Sequence, residues 1–221
     1  LIPLDDAAAG APSHSIHLKP LAEDALSLPV RTGKARVIGI EPASLVTKSL
    51  VREVNTDDAG CFQSALNPGL TKIAVIERHK RTGKRGIGIL EGYGLTGGAI
   101  ATTISHDSHN IVVAGDNDPD MLLAVRELAD MGGGIVSVHG GAIRRLPLPI
   151  AGLMTSADPQ EVNAVLHDML VAARAELGIP DDVEPFMTLS FMALPVIPEL
   201  KLTARGLFNV NTFSFVGVEA D

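Results

Sequence analysis

In the string Ser105-His106-Asp107-Ser108-His109-Asn110, two imidazoles, a carboxylate, two hydroxyls and a carboxamide follow one another without a break. Imidazoles near neutral pH donate, accept and ligate metals, and a neighbouring carboxylate orients them. Runs rich in Ile, Val and Thr flank the string at 99–104 and 111–114 and favour extended backbone. A polar interval of this length closes a hairpin. With the turn centred on Asp107-Ser108, His106 and His109 form a directly opposed cross-strand pair, Cβ atoms ~5 Å apart on one face. These histidines and Asp107, joined by His79, could serve a catalytic metal with an open position. Nothing in the spacing brings His79 to the others. The plainer reading, and the weightier on local sequence, is a polar hairpin tip whose Asp107 hydrogen-bonds its own turn. His14 and His17 stand at i,i+3, but Pro12 and Pro20 leave little room for a helix, so they read as solvated.

Composition bounds the scaffold. The 221 residues suffice for one large domain or two small ones with a sizeable core. With 46% hydrophobic but only 3% aromatic residues and no Trp, that core must be built of Ile, Val, Leu, Ala and Met. A mean hydropathy of +0.25 without a long apolar run predicts a surface covered by another domain or subunit. No stretch approaches the ~18 uninterrupted apolar residues of a membrane span. The net charge of −8 and the lack of a basic stripe with aromatics argue against nucleic acid. Cys61, the single cysteine, excludes an intrachain disulfide, fits a reducing cytosol and reads as a small buried apolar residue. The N-terminus shows no basic n-region, no apolar h-region and no initiator Met, so no signal peptide is expected and the chain reads as a piece of something longer.

Residues 1–30, punctuated by Pro3, Pro12, Pro20 and Pro29, read as an irregular arm or linker with at most a helical turn near Glu23-Asp24; residues 31–221 read as the domain. Strands are predicted at 36–40, 70–79, 87–93, 99–104 and 111–114, and a strand or short helix at 45–54. Glycine-rich or charged turns between them suggest an antiparallel meander. The basic turn from Lys80 to Lys84 reads as an exposed tip rather than an anion site. Gly86, Gly88 and Gly92 do not make a dinucleotide fingerprint, because a charged turn precedes them and a strand follows. A helix begins at Asn117-Asp118-Pro119 and ends at Gly132. A hairpin over Gly140-Gly141 follows, and Leu146-Pro147-Leu148-Pro149 must be an edge or a crossing segment. A second helix opens at Ser156-Ala157-Asp158-Pro159 with Val162, Val165, Leu166, Met169, Leu170 and Ala173 inward and His167 outward. The run 185–194 is open between buried helix and buried strand. The fold class is α+β, a largely antiparallel β-sheet covered by helices, with no (β/α)₈ barrel in this chain.

Several strings together, IERHKRTGKRGIGILEGYG, GAIATTISHDSHNIVVAGDND, GGGIVSVHGG, LPLPIAGLM and PFMTLSFMALPVIPELKLT, resemble the C-terminal domain of bacterial adenine deaminase, in the amidohydrolase superfamily, from about Arg36 to Phe215. The resemblance implies a part of an enzyme that hydrolyses adenine to hypoxanthine and ammonia in purine salvage, in the cytoplasm and as a homo-oligomer. It implies a catalytic barrel, in the same or a separate chain, holding a divalent metal (manganese or iron), with none held here. His79, Ser105, His106, Asp107, Ser108, His109 and Asn110 become candidates to face the active site or the interface with that barrel. The alternatives are a free-standing binding or assembly module of the same fold, or a small metallohydrolase using His106 and His109.

Overall fold

Strands whose two faces are both apolar need a layer on each side, and that requirement sets the architecture of the computed structural model, which describes residues 15–220. In chain order the elements are β1 (Lys34–Ile40), β2 (Thr47–Glu53), β3 (Leu70–Ile76), β4 (Arg85–Glu91), β5 (Gly98–Thr102), β6 (Ile111–Gly115), α1 (Asp118–Asp130), β7 (Gly134–His139) and β8 (Ala142–Pro147). Then come α2 (Pro159–Ala175), α3 (Pro185–Phe191), β9 (Leu200–Thr203), β10 (Gly206–Asn209) and β11 (Ser214–Phe215). The first eight strands form one sheet in the order β2-β1-β4-β3-β6-β5-β7-β8, and the last three form a small second sheet. All pairings are antiparallel except β1 with β4. The fold is therefore α+β and largely antiparallel.

The expected meander is corrected in one respect. The hairpins β3–β4 and β5–β6 form, but β3 rather than β4 meets the second hairpin, through β6. Burial explains the choice. Every residue of β5 and β6 and all but the first of β3 are buried, whereas β4 begins on an exposed arginine. Strand–turn alternation foretells hairpins, not which edge of a hairpin faces inward.

Alternation along β3 sends Ile73 and Val75 to one face and Ala74 and Ile76 to the other. The first face packs against Met169 and Ala173 of α2, Leu189 of α3 and Leu202 of β9. The second receives Met121, Val125 and Leu128 of α1. Helix α1 starts where Asn117 Oδ1 accepts from Asp120 N at 2.9 Å, beside Pro119. Gly115, just before it, has no room for a side chain: a Cβ there would lie 2.5 Å from Met121 Cγ. Asp158 caps α2 as expected, but the inward stripe of that helix is only partly covered, with Val165 exposed. The open run at 185–194 begins as helix α3, and the 45–54 run is strand β2. Strand β8, ending on Pro147, is one edge of the large sheet, and β2 is the other.

Of residues 1–30, those from Ser15 onward run over the sheet, where Leu26 is fully buried and His17 exposed. His14 and the rest of the first fourteen lie outside the described residues.

Candidate functional site at the β5–β6 loop

The histidine string occupies the connection between β5 and β6. Thr102 faces Val112 and Ala99 faces Gly115, a register centred on Asp107 itself. Continued, that ladder would oppose His106 to Ser108, and the strands end before it. The cross-strand pairing of His106 with His109 is thus corrected: both lie in a loop closed by His109 N donating to Ser105 O at 2.6 Å. That turn, with His109 at φ +47°, still brings the two rings to 6.1 Å between centroids, edge to face. Asp107 accepts no hydrogen bond from its own turn among the described residues; Ser108 Oγ faces Asn110 N at 3.5 Å instead.

Neighbouring elements hold the loop. His106 N donates to Ser190 O of α3 at 3.1 Å, and its ring stands 4.5 Å from that of Phe191. His79, beyond the end of β3, reaches the loop as well: its Nε2 donates to Ser108 O at 2.8 Å, which assigns the proton to that nitrogen. Thr103, just past β5, accepts from Gly134 N at 2.8 Å and donates to Gly152 O at 2.5 Å.

The residue that sequence reasoning missed is Arg78, the largest fully buried side chain. Its Nε donates to His109 O, its Nη2 to Ala151 O at 2.9 Å, and its Nη1 to Ser15 Oγ at 3.0 Å. Three distant segments meet on one planar fork. Every one of these acceptors is neutral, and burial pulls the guanidinium below its ordinary pKa. Gly152 is glycine for the same reason: at φ +73°, a Cβ would sit 3.0 Å from two guanidinium nitrogens. Arg78 lies near the end of the strand predicted at 70–79, just before the basic turn from Lys80 to Lys84, and local sequence assigns it no role there. The available signal was parity, since it continues the inward alternation of Ala74 and Ile76.

Buried polar atoms normally find partners, and each that does not costs about 1–3 kcal/mol. Four side-chain atoms of the described residues are buried without one, and three belong to this loop: Ser105 Oγ, His109 Nδ1 and Asn110 Oδ1. Burial, then the neighbouring His106 and Arg78, push the His109 pKa below the ordinary 6.5, with Asp107 opposing. His109 is thereby kept neutral, a form that can accept a proton. No group of three His, Cys, Asp or Glu side chains placed to share a metal ion occurs among the described residues, so His79, His106, Asp107 and His109 do not assemble as a ligand set.

The loop also walls two depressions. One, of about 660 Å³, lies between Asp107, Ser108 and Asn110 and the rings of Phe208, Phe213 and Phe215. The other, of about 400 Å³, lies between His106, Ile104 and the residues Leu166, Phe186, Met187 and Phe191.

The adenine deaminase C-terminal domain family matches residues 44–214. A protein named adenine deaminase from Nitratidesulfovibrio vulgaris strain Hildenborough is 56% identical over 219 residues, which cover 99% of this chain and 38% of the relative. Adenine deaminases of Clostridium acetobutylicum and Bacillus licheniformis are each 44% identical, over 92% and 96% of this chain and 36% and 37% of their own lengths. The chain thus spans well under half the length of these curated relatives. In the fold, the strings Ser-His-Asp-Ser-His-Asn and Pro-Phe-Met-Thr-Leu-Ser-Phe meet at the His106–Ser190 hydrogen bond and the His106–Phe191 contact. On the extent of these matches, the chain belongs to the adenine deaminase C-terminal domain family.

Proposed function

We propose that these residues are the C-terminal domain of an enzyme that hydrolyses adenine to hypoxanthine and ammonia in purine salvage, in the cytoplasm and as a homo-oligomer. In this reading the domain packs on a metal-dependent catalytic barrel, in the same or a separate chain, and turns the 105–110 loop toward its purine end. The observation that supports it most is the concentration of unpartnered buried polar atoms, Ser105 Oγ, His109 Nδ1 and Asn110 Oδ1, in that one loop. A domain that carries such a cost in one place retains it for something other than its own stability.

Deamination of an aromatic amine needs an activated water, a proton shuttle and a pocket that orients the ring. Activating the water is the task of a manganese or iron ion in the barrel; among the described residues no three His, Cys, Asp or Glu side chains are placed to share an ion. What they supply is orientation and proton handling. His109 is kept neutral by burial and adjacent positive charge, and His106 is braced on Phe191.

The test is replacement of both His106 and His109 by alanine in the full-length enzyme. The expected result is a fall in kcat/KM of roughly 10²-fold or more, or weakened association of domain and barrel. Unchanged kinetics together with unchanged association would remove the basis of the proposal. The 221-residue chain alone, given adenine with Mn²⁺, Fe²⁺ or Zn²⁺, is expected to release no ammonia. Steady turnover that disappears on changing His106 or His109 would instead make the chain a small metallohydrolase.

A further inference from the structure

Next to the histidine loop the small sheet displays an aromatic group that the domain does not cover. Phe208 is buried, and against it stand the rings of Phe213, at 5.3 Å between centroids, and Phe215, at 5.2 Å, both edge to face. Phe213 is 76% exposed and Phe215 44%, and Val196 beside them is 65% exposed. Phe213 is held at φ +50°, a left-handed conformation that bulky side chains rarely adopt. Its turn is closed by Phe213 N donating to Val210 O at 3.3 Å and Thr212 N to Asn209 Oδ1 at 3.0 Å. A large apolar ring is thus fixed outward, in water, on an unfavourable backbone, and its exposure is relieved only when the ring is covered. Arg205 lies 4.6 Å from the Phe215 ring centroid and is in no ion pair among the described residues.

Two observations point to what covers it. The curated relatives extend over more than twice the length matched here, and the match is to their family's C-terminal domain. Ser15 is held by Arg78, whose Nε is bonded to His109 O of the loop; that same loop lines the aromatic basin through Asp107, Ser108 and Asn110. In the longer family members the preceding part is covalently tied to this domain, and a tethered partner binds at a high effective concentration. We propose that the basin of Phe208, Phe213, Phe215, Val196 and Arg205 is the docking face for that preceding part, which presents an apolar surface and a carboxylate to Arg205. This rests on the reading that the domain supports a preceding catalytic part, and it names the face that does so.

Hydrogen exchange tests it, comparing the 221-residue chain with a full-length family member that carries these residues as its C-terminal domain. Amides of 206–215 are expected to exchange roughly tenfold or more slowly in the full-length protein, at every protein concentration. Phe213→Ser and Val196→Ser are expected to abolish the difference; both side chains are exposed, so the isolated domain should keep its Tm. Arg205→Glu should reduce the difference as well. Equal exchange in the two proteins overturns the proposal. So does protection that arises in the isolated chain as its concentration rises, which indicates a second copy, or on adding adenine, which indicates a ligand pocket. The two readings fail separately. Kinetics insensitive to His106 and His109 defeat the role of the loop and leave the exchange result standing. An active, histidine-sensitive enzyme with an unprotected basin defeats only the docking face.

Discussion

The connection from β3 to β4 and that from β5 to β6 emerge side by side, because Ile76 is paired with Ile111. They satisfy their polar groups in opposite ways. In the first, both carboxylate oxygens of Glu77 are occupied from within the turn, by His79 N at 2.6 Å, Lys80 N at 2.7 Å, Thr82 N at 3.0 Å and Thr82 Oγ1 at 2.7 Å. Burial alone would raise the pKa of Glu77, but those hydrogen bonds outweigh it and hold it down to about 2. The second loop has no such internal hub. It is fastened from outside, by Arg78, Ser190 and His79, and keeps three buried polar atoms unpartnered. A turn that completes its own hydrogen bonds needs nothing further; a loop held in place with capacity unspent is arranged for a partner. The bond from His79 to Ser108 O joins the two, so perturbing one tests the other.

The largest effect is expected from removing the outside clamp. Arg78→Ala leaves the carbonyls of His109, Ala151 and Ser15 without their donor in a buried site, at roughly 3–5 kcal/mol by urea unfolding. Arg78→Lys retains the charge but not the planar fork, and an intermediate loss is expected. A loss under 1 kcal/mol for Arg78→Ala would mean that the loop does not depend on the clamp, and the contrast between the two connections would collapse. Next comes the self-contained turn. Glu77→Ala is expected to cost about 1–2 kcal/mol, because water can replace part of what the carboxylate accepts near the surface. The sign with pH is fixed: the Glu77 contribution is complete above its ordinary 4.5 and is lost as pH falls through about 2. A wild-type minus Glu77→Gln stability difference that is unchanged from pH 6 to pH 2 would show that the charge is not what organises the turn.

How much of this could be read from the residues differs along the same line. Elements whose cause is local were readable: the caps Asn117 and Asp158 start α1 and α2 where expected, and the Ile/Val runs form the central strands. The nearness of the two histidine rings was reached from a hairpin register that does not hold; a local i to i+4 turn produces it. Features whose cause is long-range were not readable. Arg78 acquires its role only when Ser15 and Ala151 arrive from 63 and 73 residues away. Lys201 alternates with Leu200 and Leu202 as a solvent-facing residue would, but all three are buried in β9, a strand of the small sheet. Its ammonium donates to Leu45 O at 2.8 Å, and burial pushes its pKa down to about 8. Nothing in a strand pattern announces that a second layer will close over its polar side.

A smaller effect, but one of diagnostic sign, is expected at Ser105. The Oγ of this residue is fully buried and unpartnered, so Ser105→Ala removes a desolvated hydroxyl and no hydrogen bond. In the isolated domain it is expected to be neutral or stabilising, by up to about 1 kcal/mol. In the full-length enzyme the same substitution is expected to lower turnover, the pattern of a group kept for function at the expense of stability. A destabilisation above 1 kcal/mol in the isolated domain would mean that the hydroxyl has a structural partner, and that the second connection resembles the first more than the geometry indicates.

The smallest effect concerns His109, and it separates the two loops by the direction of their response to acid. Its side chain is held neutral by burial and by the nearby His106, Arg78 and His79, against the attraction of Asp107. The folded-state pKa therefore lies below the unfolded value near 6.5. Between those two values the unfolded chain binds more protons than the folded one, so stability declines as pH falls through 6.5 and levels off below the folded pKa. This loss begins two pH units above the ordinary pKa of Glu77, which makes the two connections separable in one titration. His109→Asn is the suitable probe, because asparagine tolerates the left-handed backbone at φ +47°. The variant should flatten the decline in stability that sets in as pH falls through 6.5 while leaving the decline below pH 4.5 in place. An NMR titration of the wild-type domain should show His109 charging below 6.5. Titration at or above that value would mean that the ring is stabilised as a cation by Asp107, and the loop would then present a fixed positive charge rather than a neutral base.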